Sequence, residues 1–302
     1  MWVILDAYVL GGLLVALIGL WQYATGQNLI SAEGGLMRLR SIYGSPNNVA
    51  LYLGRVLPLL VSMALLGASV ERRRRWVYGG VIIPVGLALL LTFSKGGLLL
   101  GVPAGLLVVF WIWQRHNGRS PWPWAVAFTA LGAAALFLAR QVPQLAQRLD
   151  LFGTTGVFRV NLWQASLEMI RENPFLGVGL DNFLYAYRGR YILDAAWQEP
   201  NLNHPHNMFL DFATRLGLLG LVAGVWMIWV LARTLKRAVA MVPAQWLPVA
   251  VGFSGALAAM LVHGLVDHSF FLVDLAFSFY LMLGTAVWLD KLPIAPKIDR
   301  QS

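Results

Sequence analysis

Eight apolar stretches, each close to the length of a bilayer-spanning helix, decide what this chain can fold into. They cover about 3–24, 49–70, 76–93, 97–113, 122–139, 208–231, 246–266 and 270–289. A hydrocarbon core ~30 Å thick takes about 20 helical residues to cross. Only Ser94-Lys95-Gly96 separates the third stretch from the fourth, which predicts a tight helical hairpin, and only Asp267-His268-Ser269 separates the last two. The chain is 58% hydrophobic and 12% charged, whereas a soluble domain carries about a quarter of its residues charged. Too few polar side chains remain to coat a water-facing surface. The expectation is an all-α polytopic membrane protein with about eight transmembrane helices. Trp76, Trp111, Trp113, Trp122, Trp124, Trp246 and Trp288 fall near the ends of these stretches, where an amphipathic ring suits the headgroup layer.

Cations give the orientation. One set of alternate loops holds Arg72 to Arg75, Arg115, Arg119, Arg233, Lys236, Arg237, Lys291, Lys297 and Arg300, twelve in all, while the short loops of the other set hold Arg38, Arg40 and Lys95. By the positive-inside rule the first set is cytoplasmic, which predicts both termini inside. No cleavable signal peptide is expected, because the apolar run starts almost at Met1 without a basic leader. The net charge of +9 then reports topology, and with no basic, aromatic-interleaved soluble stretch present it excludes a nucleic-acid partner. The absence of cysteine excludes disulfides and thiolate metal sites.

The segment 25–48, the Lys95 turn, the loop 140–205 and the Asp267-His268 turn all fall on the opposite, outer face, with nearly every unusual polar residue. The chain reads as one membrane domain, 1–302, with a large, partly helical periplasmic loop at 140–205 between spans five and six. Within it, 159–171 predicts an amphipathic helix with Val160, Trp163, Leu167 and Ile170 on one side, lying on the membrane surface or capping the bundle. Asn173-Pro174 ends it and Gly177-Val178-Gly179 turns the chain. Tyr185, Tyr187, Arg188, Arg190 and Tyr191 follow, a mix suited to carbohydrate or headgroup contact, or to a solvated surface.

Four groups of residues carry candidate chemistry. His204-Pro205-His206-Asn207 opens the sixth span. Imidazole accepts a proton near neutral pH, so a general base is one reading and an interfacial histidine the other. Two histidines at i and i+2 supply too few ligands for a metal alone. Lys95 sits between two apolar helices and must face an anion or a cavity, or snorkel to the headgroups. Arg159 could grip phosphate with paired hydrogen bonds or form an ion pair, and Arg38 and Arg40 could add positive potential or coat the surface. His263 and Asp267 are four apart, which would put both on one helical face. With His268 they could orient a catalytic group, relay protons, cap a helix, or join the other histidines around a metal. Asp-x-Asp, Walker A and Gly-x-Ser-x-Gly sequences are all missing.

Four segments together resemble the O-antigen ligase and polymerase family of bacterial envelope enzymes. They are Ser41 to Ala50 (SIYGSPNNVA), Leu91 to Gly96 (LTFSKG), Arg159-Val160-Asn161-Leu162-Trp163 running on to Asn173-Pro174-Phe175-Leu176-Gly177-Val178-Gly179, and His206-Asn207-Met208-Phe209-Leu210 through Gly217 and Gly220. The resemblance implies a glycosyltransferase of the bacterial inner membrane. It would move a glycan from a polyprenyl-diphosphate carrier to an acceptor hydroxyl on a glycan, lipid or protein, on the periplasmic face. It implies His206 as base, with Arg159 and Lys95 at the diphosphate. The family usually has Arg at the short turn, so Lys95 keeps the charge but loses the bidentate fork. Arg38, Arg40, Asn47, Asn207, Arg188, Arg190 and Asp267 are the candidate substrate contacts. Direct attack on the anomeric carbon would invert it, with no metal or cofactor. Family members commonly have ten to twelve spans, so with about eight this chain is either a compact member or lacks N-terminal helices. The rival reading is a transporter or flippase of a lipid-linked glycan, though the chain lacks the repeated halves many transporters have.

Overall fold

The computed structural model describes residues 1–32, 35–142 and 154–293. Lys297, Arg300 and part of the expected periplasmic loop lie outside these. The chain runs α1 (Trp2–Ala24), a short hairpin of β1 (Leu29–Ser31) and β2 (Met37–Leu39), then α2 (Pro46–Leu66) and α3 (Arg72–Leu91). A π-helical turn, Gly96–Gly101, leads into α4 (Val102–His116), followed by α5 (Trp122–Arg140). The remainder is α6 (Thr154–Glu172), the short α7 (Phe183–Ala186), the long α8 (Met208–Met241), α9 (Leu247–Gly264) and α10 (Val273–Asp290). Among the described residues seven helical stretches are long and apolar enough to cross a membrane. Helix α5, where the sequence predicts the fifth span, is an eighth long helix. The all-α polytopic expectation is therefore met.

Helices α2 and α9 form the buried centre. Small residues let them and α4 approach: a Cβ on Gly252 would stand 2.6 Å from the Leu59 backbone, and one on Gly105 2.8 Å from the Gly255 carbonyl, the usual device for packing helices in lipid. The α2 start is a capped one. Ser45 accepts from the Asn47 backbone N–H at 3.2 Å and Pro46 stands in the first turn. Arg55, fully buried in α2, donates to the Leu275 carbonyl at 2.7 Å and to the Ser269 carbonyl. A buried guanidinium has to be met by acceptors, and here it clamps the turn between α9 and α10. At the arginine-rich end Trp2 stacks on Trp246 with ring centroids 4.3 Å apart.

Two departures from the sequence reading matter for the site. The face of α6 buried in the protein is Leu162, Ala165, Ser166 and Met169, while Val160 and Leu167 point outward. Second, α8 breaks at Gly217, which has a left-handed φ of 68°.

Candidate functional site

At the end of the bundle away from Arg72–Arg75, four separate parts of the chain meet around a cavity of about 160 Å³. It is lined by Arg38 and Asn47, Lys95 and Gly96, Phe158, Arg159 and Leu162, and Glu199, Leu202 and His206. Each part is held by local bonds. Arg38, on β2, donates from Nε to the Thr92 carbonyl at 2.7 Å and from Nη2 to Asn47 Oδ1 at 2.9 Å, so it ties the hairpin to the α3–α4 turn and to the start of α2. In that turn Phe93 has a φ of 46°, and the Ser94 hydroxyl accepts from the Gly97 N–H at 3.3 Å. Gly96 must be small, since a Cβ there would lie 2.6 Å from the His263 ring. The turn is thus packed hard against α9, and Lys95 is presented to the cavity.

Helix α6 brings Arg159, and its Trp163 donates from Nε1 to the Pro205 carbonyl at 2.9 Å, locking α6 to the His204-Pro205-His206 segment. His206 itself has a φ of 50°, and its N–H donates to His204 Nδ1 at 3.2 Å. Asn207 is the cap of α8: its Oδ1 accepts from the N–H groups of Phe209 and Leu210 at 3.0 and 3.1 Å, and its Nδ2 donates to the Leu265 carbonyl at 3.0 Å.

Asp267 is the hub behind the histidine. One oxygen, Oδ1, lies 3.1 Å from Nδ1 of His206, 3.1 Å from Nδ1 of His268 and 2.9 Å from the His268 N–H. Burial pushes this carboxyl up. The charge and hydrogen bond of His206, with the hydrogen bond of His268, outweigh burial and hold it well below the usual carboxylate range. A carboxylate that stays ionised accepts a hydrogen bond from Nδ1–H, which leaves the lone pair of His206 on Nε2. His204 is driven well below the ordinary histidine range, first by burial and then by the charges of His268 and His206. Its Nδ1 is therefore free to accept the His206 N–H.

His204, His206, Asp267 and His268 each have a ligating atom within 4.8 Å of the others. The spacing, however, is that of a hydrogen-bonded network. The His204 and His268 rings are 3.6 Å apart, centroid to centroid, whereas two imidazoles on one tetrahedral ion, with bonds of ~2 Å, keep their rings about 5 Å apart.

Lys95, Arg159, His206, Arg38 and Asn47 are thus brought together. Asp267 stands behind them and contacts His206. The other candidates are placed elsewhere. Arg40 donates from Nε to the Asn28 carbonyl at 3.2 Å and closes the hairpin. Arg190 pairs with Glu172 at 2.8 Å, Arg188 is not among the lining residues, and Tyr187 and Tyr191 are buried in the loop's own core. Asn207 spends its amide on the helix cap. His263 packs under the Lys95 turn inside α9, while Asp267 lies beyond that helix's end. Glu199, a carboxylate among the cations, was not singled out from the sequence. Neither was the Arg215–Asp211 pair at 2.6 Å, with Arg215 also donating to the Asn203 carbonyl at 2.8 Å. Two ionisable residues four apart in an apolar helix are the signal that could have found it.

The fold and this site define a polytopic membrane protein with a cation-lined, histidine-bearing cavity at one end of its helix bundle. A family model described as O-antigen ligase matches residues 79–225, just under half of the 302-residue chain. The match contains Lys95, Arg159, His206 and the Gly217 break, whereas Arg38, Asn47 and Asp267 lie outside it. No curated protein sequence matches the chain.

Proposed function

We propose that the chain transfers a glycan from a polyprenyl-diphosphate carrier to an acceptor hydroxyl in a single inverting step that needs no metal. The observation that carries this reading is the meeting of Arg38, Lys95, Arg159 and His206 around one cavity. A diphosphate is already a competent leaving group. What the reaction lacks in water is a base for the acceptor and positive charge where the leaving oxygen becomes anionic. Nε2 of His206 takes the hydroxyl proton as the oxygen bonds to the anomeric carbon. The bond from that carbon to the diphosphate breaks, and Arg159, Lys95 and Arg38 stabilise the departing polyprenyl diphosphate. Attack from the face opposite the leaving group inverts the centre. Asp267 positions His206 and stabilises its imidazolium.

The arginine-rich end with both termini is cytoplasmic in this reading. The cavity opens to the periplasm, where 140–205 is an insertion in a single membrane domain, 1–302. The donor's tail remains among lipids, and the acceptor is a glycan, a lipid or a protein.

Arg159→Ala should raise the donor KM by about 10- to 100-fold, the scale of a lost charge-assisted hydrogen bond of ~1.5–3 kcal/mol, with Arg159→Lys recovering part of it. Unchanged donor kinetics would remove Arg159 from the diphosphate. Excess chelator should leave the rate unaltered. A chelator-induced loss reversed by a divalent ion would instead make the four-residue His–Asp cluster a metal centre.

A further inference from the structure

The break in α8 places an irregular backbone where lipid should be. Leu218–Met241 continues as helix beyond Gly217. At 1.5 Å per residue Gly217 lies about 24 Å along the axis from Arg233 and about 30 Å from Arg237. Arginines that close an apolar span belong at the headgroup layer, and a hydrocarbon core is ~30 Å thick. The break therefore lies at or inside the hydrocarbon boundary of the far leaflet. Backbone groups freed there have no water to bond.

Segment 174–179 supplies the partners. The Val178 N–H donates to the Thr214 carbonyl at 2.8 Å, the Gly179 N–H to the Arg215 carbonyl at 3.1 Å, and the Leu218 N–H to the Pro174 carbonyl at 2.7 Å. The approach is backbone to backbone. A Cβ on Gly217 would stand 2.2 Å from the Phe175 carbonyl carbon, and one on Gly177 2.4 Å from the Thr214 carbonyl oxygen.

While the backbone of this segment is spent on α8, its large apolar side chains face away from the protein. Phe175 is 68% and Leu176 74% exposed, and Leu180 is exposed as well. They continue the exposed apolar flank of α8 formed by Leu218, Leu219 and Val222. Apolar side chains scattered singly on a surface are ordinary, but a contiguous patch joined to a membrane-spanning helix is not.

We propose that residues 174–180 enter the bilayer as a re-entrant wedge beside α8, with acyl chains of the leaflet on the cavity's side packed on Phe175, Leu176 and Leu180. The wedge anchors the loop that carries Arg159 and His206 at a fixed depth relative to the lipid. This holds whatever reaction the cavity performs, because it rests on the membrane architecture alone.

The chain contains no cysteine, so single-cysteine variants report cleanly. Leu176→Cys and Phe175→Cys are compared with Arg171→Cys, whose native side chain is 80% exposed, and with Leu219→Cys on the α8 flank. Right-side-out and inside-out vesicles are treated with a membrane-impermeant maleimide, and variants that run as monodisperse protein in detergent are scored. Positions 175 and 176 should label more slowly than 171 by on the order of tenfold or more, as slowly as 219, from either side. All four should label alike once SDS removes the bilayer. Labelling at 175 or 176 as fast as at 171 would overturn the wedge. A nitroxide at 176 that collides more often with a water-soluble nickel chelate than with oxygen would overturn it equally.

Discussion

His206→Asn is expected to lose glycan transfer by about 10²- to 10⁴-fold, the range a positioned general base contributes, while the protein inserts and elutes as the wild type does. Asparagine is the informative replacement because His206 holds a left-handed φ of 50°, a conformation that asparagine tolerates. It removes the base without straining the turn. His206→Ala should lose the same activity with some added instability. Asp267→Asn belongs to the same experiment. An amide oxygen still accepts hydrogen bonds but carries no charge, so the imidazolium that forms on His206 loses its counter-ion and kcat falls with little change in donor KM. Transfer at wild-type rate by a folded His206 variant would remove the base assignment.

Gly217→Val is expected to abolish the folded protein, with a loss above about 4 kcal/mol, the exceptional end of single-substitution effects. Two terms add. A β-branched residue is strained at φ 68°, and its Cβ would lie 2.2 Å from the Phe175 carbonyl. The segment must then withdraw, which exposes the Thr214 and Arg215 carbonyls and the Leu218 N–H to lipid. Gly86→Ala in α3 is the comparison, because nothing lies within 4 Å of a Cβ there. Thermal unfolding of the two variants in detergent, followed by size-exclusion profile, should show aggregation for the first and a near-native profile for the second. A stable, monodisperse Gly217→Val would mean the close crossing of 174–179 over α8 does not exist.

The transmembrane helices were legible because hydropathy over twenty residues is a strong signal, and the start of the sixth was placed at Met208, where α8 begins. The hairpin of β1 and β2 was not, since three-residue strands carry too little pattern to register. The amphipathic helix showed where periodicity fails in principle. Val160 and Leu167 are apolar yet exposed, while Leu162, Ala165 and Met169 are apolar and buried in the protein. A hydropathy pattern assigns both stripes the same sign and cannot say which is the core. The candidate site was legible in part. Lys95, Arg159 and His206 were named from the sequence, and they do line one cavity. The contact of His206 with Asp267, 61 residues apart, was not specified, because local spacing tied Asp267 to His263 instead. Arg188 and Arg190 do not line that cavity. Arginine beside tyrosine suits a ligand, but it equally suits a loop that closes on itself through Glu172.

The measurement that bears most directly on the whole account is transfer by the purified protein in detergent, with lipid-diphosphate-linked glycan as donor, a hydroxyl-bearing acceptor, and chelator present. The account predicts an elongated or ligated product of inverted anomeric configuration, released together with polyprenyl diphosphate and missing when His206 is replaced. Tight donor binding with no product from any hydroxyl acceptor, alongside donor translocation once the same protein is returned to vesicles, would contradict it and make the chain a carrier of lipid-linked glycan.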